Sequence, residues 1–306
     1  MSAAHDEQSA TASCAIVVTH YPERAVLLKL LSQINRETDF LVIDNCSPDA
    51  DRYRQSILVY PRCVGCRQLD ENVGLAEALN LGLEEVRGRG YRFALLFDQD
   101  SGLSDLYVES LVEAYHQAAA LSPQKVAAVG PRIINPHSLR QMPFKLFNRL
   151  VRRSDSPIAG AADLFRADFL ITSGTLIALD VLEEIGVMKS SYFIDNVDLE
   201  WCFRARARGY ALVGTDQAIL YHAIGERSSN PLVKRGLIAQ HSPARTYYSS
   251  RNRVHLYRSP YAPWGWKVRD CVRFLFKTIW LLLMSEQRWQ YWRNIRRGVI
   301  DSRALK

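Results

Sequence analysis

The sequence predicts an α/β fold built on a mainly parallel, doubly wound sheet. Three observations predict it. Short unbroken apolar runs recur along the first two thirds of the chain, helix-period segments alternate with them, and carboxylates follow several runs directly. Strands covered on both faces read as continuous apolar runs. Ligands of such sheets sit beyond the carboxyl ends of the strands. The residues just after each apolar run are therefore where chemistry is expected.

The elements follow in chain order. Ala15–Thr19 (AIVVT) is the first strand. Pro22 and Glu23 open a helix through Ile34, with proline suited to a first turn. Phe40–Ile43 is the second strand, ending at Asp44-Asn45, and Ile57–Val59 reads as a third. Leu75, Leu79 and Leu83 give Gly74–Val86 a helical period. Phe93–Phe97 (FALLF), Val126–Gly130 and Gly174–Leu179 are further buried strands. The stretch 135–168 reads as a variable loop or short helix.

Composition bounds the class. The chain has 306 residues, 48% hydrophobic and 23% charged, which is a globular balance. No apolar run reaches the roughly 18 residues needed to span a bilayer. The tail 1–13 is polar, has no signal-peptide pattern and is expected to be disordered. A cytoplasmic chain is the resulting expectation. Its divisions are the tail 1–13, an α/β domain 14–258 and a basic, Trp-rich helical segment 259–306.

The six cysteines contain one CxxC, Cys63 and Cys66, in the loop-like stretch Tyr60–Gln68. No second pair stands at zinc-ribbon spacing, so two reduced thiols are expected. No GxxxxGK[ST], GxGxxG or GxSxG occurs, which excludes a P-loop and argues against a dinucleotide fingerprint and a hydrolase elbow.

Asp98-Gln99-Asp100 follows FALLF. Two carboxylates at i and i+2 beyond a buried strand can converge on one hard cation, Mg2+ or Mn2+. Such a cation neutralises a diphosphate and stabilises it as a leaving group. His222, after the strand-like AIL of Gln217–Leu220, is a plausible further ligand beside that pair. In Tyr192–Arg208, Asp195 can cap a helix, and Asp198 and Glu200 suit its first turns, with Trp201 and Phe203 helping to bury it. A carboxylate of this segment near a sugar would serve as general base on an acceptor hydroxyl.

The ordered set VVTHYPE, VIDNCSPD, ENVGLAEALNLGL, LLFDQDS, GPRI, FLITSGTLIAL, YFIDNVDLEWCFRARARGY and YHAIG resembles the inverting glycosyltransferases of family 2, with the GT-A (Rossmann-like) fold. LLFDQDS, FIDNVDLEWCFRA and RTYYSSRN look like the rhamnosyltransferase branch. The resemblance runs from about Ala15 to Arg258. It implies a nucleotide-sugar donor and a divalent cation. Thr19 and Tyr21 would lie along the nucleotide, and Asp44 would hydrogen-bond the base. Asn72 and Gly74 match an Asn-x-Gly at the nucleotide-side helix. Asp98 would sit near the ribose or a metal-bound water, Asp100 would bind the metal, and His222 would approach the metal or diphosphate. The implied donor is dTDP-β-L-rhamnose and the product an α-L-rhamnoside on a glycan or lipid-linked acceptor. A family 2 transferase using a UDP-hexose is the alternative, and a non-catalytic scaffold of the same fold is another. A nucleotidyltransferase would need a Gly-rich loop after the first strand, where Thr19-His20-Tyr21-Pro22-Glu23 has none.

One position departs from the family pattern. Many members carry Glu-Asp-x-Asp, with the second residue as general base. Here the register reads Asp195-Asn196-Val197-Asp198. An amide takes no proton at neutral pH. The base is then Asp195 or Asp198; Asp195 is favoured, because it precedes the helix and can face the cleft, with Asp198 organising the helix start or binding the acceptor.

The formal net charge is +7, and Pro263–Lys306 holds ten basic against three acidic residues, so the rest of the chain is neutral. Trp264, Trp266, Trp280, Trp289 and Trp292 are interleaved there. Two amphipathic helices are expected, with an anionic membrane surface as partner. Packing on the domain or a homodimer through these helices is the competing reading. No nucleic-acid motif is present. The enzyme is thus expected on the inner face of the cytoplasmic membrane, as a peripheral protein.

Overall fold

A computed structural model describes residues 13–147, 153–222 and 242–305. Its strands are β1 (Ser13–Thr19), β2 (Asp39–Asp44), β3 (Cys63–Gln68), β4 (Phe93–Asp98), β5 (Gly102–Leu103), β6 (Val126–Ile134), β7 (Gln141–Met142), β8 (Lys145–Leu146), β9 (Arg153–Ser154), β10 (Ser156–Ile158), β11 (Ala161–Ala167), β12 (Thr175–Ala178) and β13 (Ala211–Tyr221). The helices are α1 (Arg24–Ile34), α2 (Asp51–Leu58), α3 (Leu75–Gly88), α4 (Tyr107–Leu121), α5 (Leu182–Ile185), α6 (Val197–Ala207), α7 (Pro243–Arg258), α8 (Trp264–Met284) and α9 (Arg288–Asp301).

The main sheet runs β10-β11-β13-β6-β12-β4-β1-β2-β3. Strands β4, β1, β2 and β3 are mutually parallel. The apolar runs of β1, β2 and β4 sit at their centre, buried on both faces. Helical crossovers between parallel strands explain that burial. The second half of the sheet is mixed. Strand β12 runs antiparallel to both β4 and β6, while β13 runs parallel to β6.

Three local expectations are corrected. Ile57–Val59 is not a strand: Ile57 and Tyr53 lie one turn apart and are the buried face of α2. The third strand is instead Cys63–Gln68 at the sheet edge, where half-exposed residues leave no apolar run to read. The CxxC therefore lies in a strand, not a loop. Burial pushes the Cys66 thiol up to about 11 and the Cys63 thiol upward too, which suits ordinary reduced cysteines. Within 135–168, the described residues form the short strands β7 to β10 and β11 rather than a helix or open loop.

The tail 1–12 lies outside the described residues, and Ser13 opens β1. The C-terminal segment forms two helices, as expected. Trp266 at the start of α8 is 5% exposed and packs on the rings of Phe203 and Tyr257, 5.2 and 5.6 Å away. Leu281, Tyr291 and Ile295 form a small second core between α8 and α9. Helix α9 rests on α7 at Gly298, where a β-carbon would come within 2.5 Å of the Tyr247 carbonyl. Trp266→Ala should lose about 3–4 kcal/mol in urea unfolding, because it empties a closed ring cluster. Trp264→Ala, at a site 73% exposed, should stay within about 0.5 kcal/mol.

Candidate active site

The carboxyl ends of β1, β2 and β4 meet the start of α6 and the first turn of α7 around one cleft of about 680 Å³. Thr19, Asn72, Gly74, Asp98, Asp100, Asp195, Asp198 and His222 all line it. Parallel strands deliver the first five because their ends stop at the same edge of the sheet. Asp195 and Asp198 come from the far half of the sequence, brought in by the crossover from β12 to β13.

Two expected residues lie elsewhere. Asp44 is 1% exposed and organises the end of β2 rather than facing the cleft. Its carboxylate accepts hydrogen bonds from the Thr19 hydroxyl at 2.7 Å, the Ser47 amide at 2.7 Å, the Ser47 hydroxyl at 2.8 Å and the Tyr53 hydroxyl. Those donors occupy both oxygens. Tyr21 is 65% exposed, in a left-handed backbone conformation, and lines a neighbouring depression with Ser47, Arg54, Arg67 and Gln68.

Several contributors escaped the sequence reading. The His20 Nδ1 donates to the Asn45 carbonyl at 2.8 Å, so its Nε2 is free to accept from Asn72 at 3.2 Å. The Asn45 amide donates to Asn72 and accepts from the Val73 backbone. Gln99, between the two aspartates, accepts from the His20 amide at 2.8 Å and ties β4 to β1. The Ser173 hydroxyl accepts from the Asp98 amide at 3.3 Å and bonds Ser101 at 2.8 Å. The signals for Asn45 and Gln99 were adjacent to the aspartates; nothing in the sequence marked Ser173 for this task.

Asp98, Asp100 and His222 stand together. His222 Nε2 is 3.9 Å from Asp98 and its Nδ1 is 3.7 Å from Asp100. Burial within the cleft walls raises the Asp98 carboxyl, His222 and Arg245 lower it, and the Asp100 charge raises it further. The Asp98 side chain is still 40% accessible from the cleft, so a ligand can reach it. Among the described residues no three such side chains converge into a ready coordination shell. Two carboxylates and an imidazole nevertheless form a donor set that fits a hard divalent cation completed by substrate oxygens. The charge balance points the same way. The cleft wall carries four aspartates and one arginine, Arg245, and no lysine among its described residues.

The turn before α6 is the other half of the site. Phe193, Asp195 and Asn196 all have positive φ, between 60 and 66°. Asn196, not Asp195, is the N-cap of α6. Three non-glycine residues in the left-handed region are strained and persist only when their surroundings hold them. Helix α7 supplies the hold. The side-chain amide of Asn252, fully buried, donates to the carbonyls of Tyr192, Ile194 and Asp195 at 2.9, 2.9 and 2.8 Å. Arg251 donates to the carbonyls of Ser191 and Tyr192. Arg245 grips the Asp195 carboxylate through Nε and Nη2, at 3.1 and 2.8 Å. Gly74 presses against the same turn, and a β-carbon there would lie 2.5 Å from the Phe193 ring.

The two candidate bases therefore differ. Asp195 is committed to a guanidinium. Asp198 accepts from the Leu199 amide at 2.9 Å, is not engaged by a guanidinium among the described residues, and lines the cleft. Burial pushes its carboxyl up to about 6, with the charges of Asp195 and Asp98 adding to the rise. Glu200 is 1% exposed and structural, paired with Arg204 at 2.8 Å and with the Tyr261 hydroxyl.

Comparison with known proteins joins this geometry to a chemistry. The family model described as "Glycosyl transferase family 2" matches residues 15–173, just over half of the chain. The chain belongs to glycosyl transferase family 2. This glycosyltransferase is 26% identical over 281 residues to a dTDP-rhamnosyl transferase, RfbF, of Shigella flexneri, covering 90% of each chain. Its fold is shared with GalNAc-T7 bound to UDP, GalNAc and Mn2+ at TM-score 0.63 and 13% identity, covering 97% of this chain and 56% of that one. It is shared with residues 1–349 of S. aureus TarS in complex with UDP-GlcNAc at TM-score 0.57 and 15% identity, covering 95% and 81%. A mannosyltransferase of Pyrobaculum calidifontis with GDP-Man and Mn2+ aligns at TM-score 0.55 and 16% identity, covering 96% and 76%. The transferase thus has the GT-A architecture.

Removing the hold on the turn should separate positioning from binding. Asn252→Ala should lower kcat about 100-fold while donor KM changes only a few-fold, since a displacement near 1 Å is enough for such a loss. Steady-state kinetics on protein of unchanged circular dichroism checks it.

Proposed function

We propose that the enzyme transfers L-rhamnose from dTDP-β-L-rhamnose to a hydroxyl of a glycan or lipid-linked acceptor, with inversion, in cell-surface polysaccharide or glycolipid synthesis. The observation that carries this reading is the single cleft that brings Asp98, Asp100 and His222 together with the cleft-facing Asp198. The likeness to the dTDP-rhamnosyl transferase over 90% of both chains supports the donor.

Asp198 is the general base in this reading. Asp195, paired with Arg245, sets the turn that aims it. The acceptor O–H gives its proton to the Asp198 carboxylate as the oxygen attacks the anomeric carbon. The bond from that carbon to the diphosphate oxygen breaks, and dTDP leaves with the electron pair. One displacement inverts the centre and needs no protein nucleophile. Asp100 and His222, with Asp98 adjoining, would hold Mg2+ or Mn2+, which supplies charge neutralisation for the departing diphosphate. Thr19, Asn72 and Gly74 shape the nucleotide side, Tyr21 borders it, and Asp44 fixes the β2 end beneath. The enzyme works on the inner face of the cytoplasmic membrane, where a lipid-linked acceptor is presented.

Donor identity is read by thermal unfolding with dTDP, UDP or GDP, with and without Mn2+. Saturation at about 100 times the dissociation constant adds roughly 2.7 kcal/mol of native-state stability. The expected result is a Mn2+-dependent rise with dTDP that Asp100→Ala removes, followed by turnover of dTDP-rhamnose. A preference for UDP would replace the donor within the same family.

The base assignment has its own sign. Asp198 works only when deprotonated, so activity should fall as pH drops through about 6 and level off above it. Asp198→Asn should abolish turnover. It should also stabilise the fold at neutral pH by about 1–2 kcal/mol, because a carboxyl with a raised pKa is charged there at a cost that disappears on protonation. Asp195→Asn should instead lower both activity and stability, since it removes the charge that Arg245 grips to hold the turn.

A further inference from the structure

We infer that the outer face of α8 and α9 is a seat for an anionic phospholipid surface. It deepens the proposed function, because it rests on that reading for its use with a lipid-linked acceptor, though not for its physics. Each helix buries one side and exposes another of opposite character. Helix α8 turns Gly265, Trp266 and Leu281 inward. Outward it presents Leu275, Phe276, Ile279 and Leu283, 60%, 68%, 45% and 67% exposed. These recur at three- and four-residue spacing and form one continuous stripe. Helix α9 turns Tyr291, Ile295 and Gly298 inward. Outward it lines a shallow groove of about 520 Å³ with Trp289, Trp292, Arg293, Arg296 and Ile300, where Arg297 pairs with Asp301 at 3.4 Å and, among the described residues, leaves Arg293 and Arg296 as the uncompensated cations of the lining. Trp289 is 74% exposed.

Exposed apolar surface of this extent on a soluble fold marks an interaction site. The charge beside it selects the occupant. The whole +7 excess of the protein lies in 263–306. A second copy seated symmetrically on this face would set the same arginines against one another, which is unfavourable. An acidic protein would match the arginines but not the apolar stripe. A bilayer surface matches both: phosphate oxygens take the guanidinium groups, indoles sit at headgroup depth, and the α8 stripe enters the acyl boundary. No described helix is long and apolar enough to cross a membrane, so the face lies on the surface.

The seat is joined to the active site by one helix. Gly298 brings α9 onto α7 at Tyr247, and Arg297 lies over the Tyr247 ring at 5.2 Å. The same α7 holds the catalytic turn through Arg245 and Asn252. Seating α8 and α9 therefore fixes the orientation of the cleft to the bilayer.

Sedimentation of the full chain with vesicles at low salt tests this. The wild type should pellet with vesicles of equal parts phosphatidylglycerol and phosphatidylcholine and stay in solution with phosphatidylcholine alone. Arg293→Glu with Arg296→Glu, and separately Leu275→Ser with Phe276→Ser, should each weaken binding about tenfold or more. Both variants should keep wild-type donor hydrolysis in the absence of vesicles. Failure of the wild type to pellet, or full binding by both variants, overturns the seat. So does a stable dimer in light scattering that the variants split. A wild type that fails to bind vesicles while donor turnover is intact refutes the seat alone; wild-type turnover with UDP-sugars only, with vesicle binding intact, refutes the donor alone.

Discussion

The site depends on the carboxamide of Asn252. Its two amide protons are shared among three backbone carbonyls in a turn where Phe193, Asp195 and Asn196 have positive φ. Without those bonds the turn would carry both unsatisfied carbonyls and backbone strain, each of order 1–3 kcal/mol. Because the turn opens α6, the helix axis and the direction of Asp198 follow from it. Arg245 completes the arrangement by pairing with the Asp195 carboxylate. The result is a division of labour between two carboxylates three residues apart. One is neutralised by a guanidinium, and the other is left in a poorly solvated wall where its proton affinity rises.

The opposite wall is governed by the sheet. Parallel strands end together, so β1, β2 and β4 place Thr19, Asp44 and Asp98 at neighbouring positions. The buried Asp44 spends its charge on four local donors and makes the strand end rigid. The aspartates after β4 stay open to the cleft. Among the described residues, four carboxylates against one guanidinium make the cavity wall negative. Such a cavity suits a hard divalent cation, the group that the proposed chemistry would use to neutralise a diphosphate.

Much of this was legible before the fold was seen. The strands β1, β2 and β4 announced themselves as apolar runs, since burial on both faces leaves no room for polar residues. The carboxylates that follow them were found by position. The edge strand β3 was missed for the complementary reason: a half-exposed strand keeps no such run, and Ile57 was read as strand when its partner Tyr53 stood one helical turn away. Asp195 was favoured as base from its place ahead of a helix. Its pairing with Arg245, 50 residues on, has no local signature.

The sequence by itself determined the parallel core, the DxD at its strand end and the basic, Trp-rich C-terminus, because each depends on spacing within a short window. Tertiary structure alone decided which carboxylate is engaged and which is open. It also decided that Asp44 is buried, that α7 clamps the turn before α6, and which side of α8 and α9 faces solvent. Those outcomes depend on contacts between segments far apart in the chain, where hydrogen-bond partners and burial are set by packing rather than by neighbouring residues.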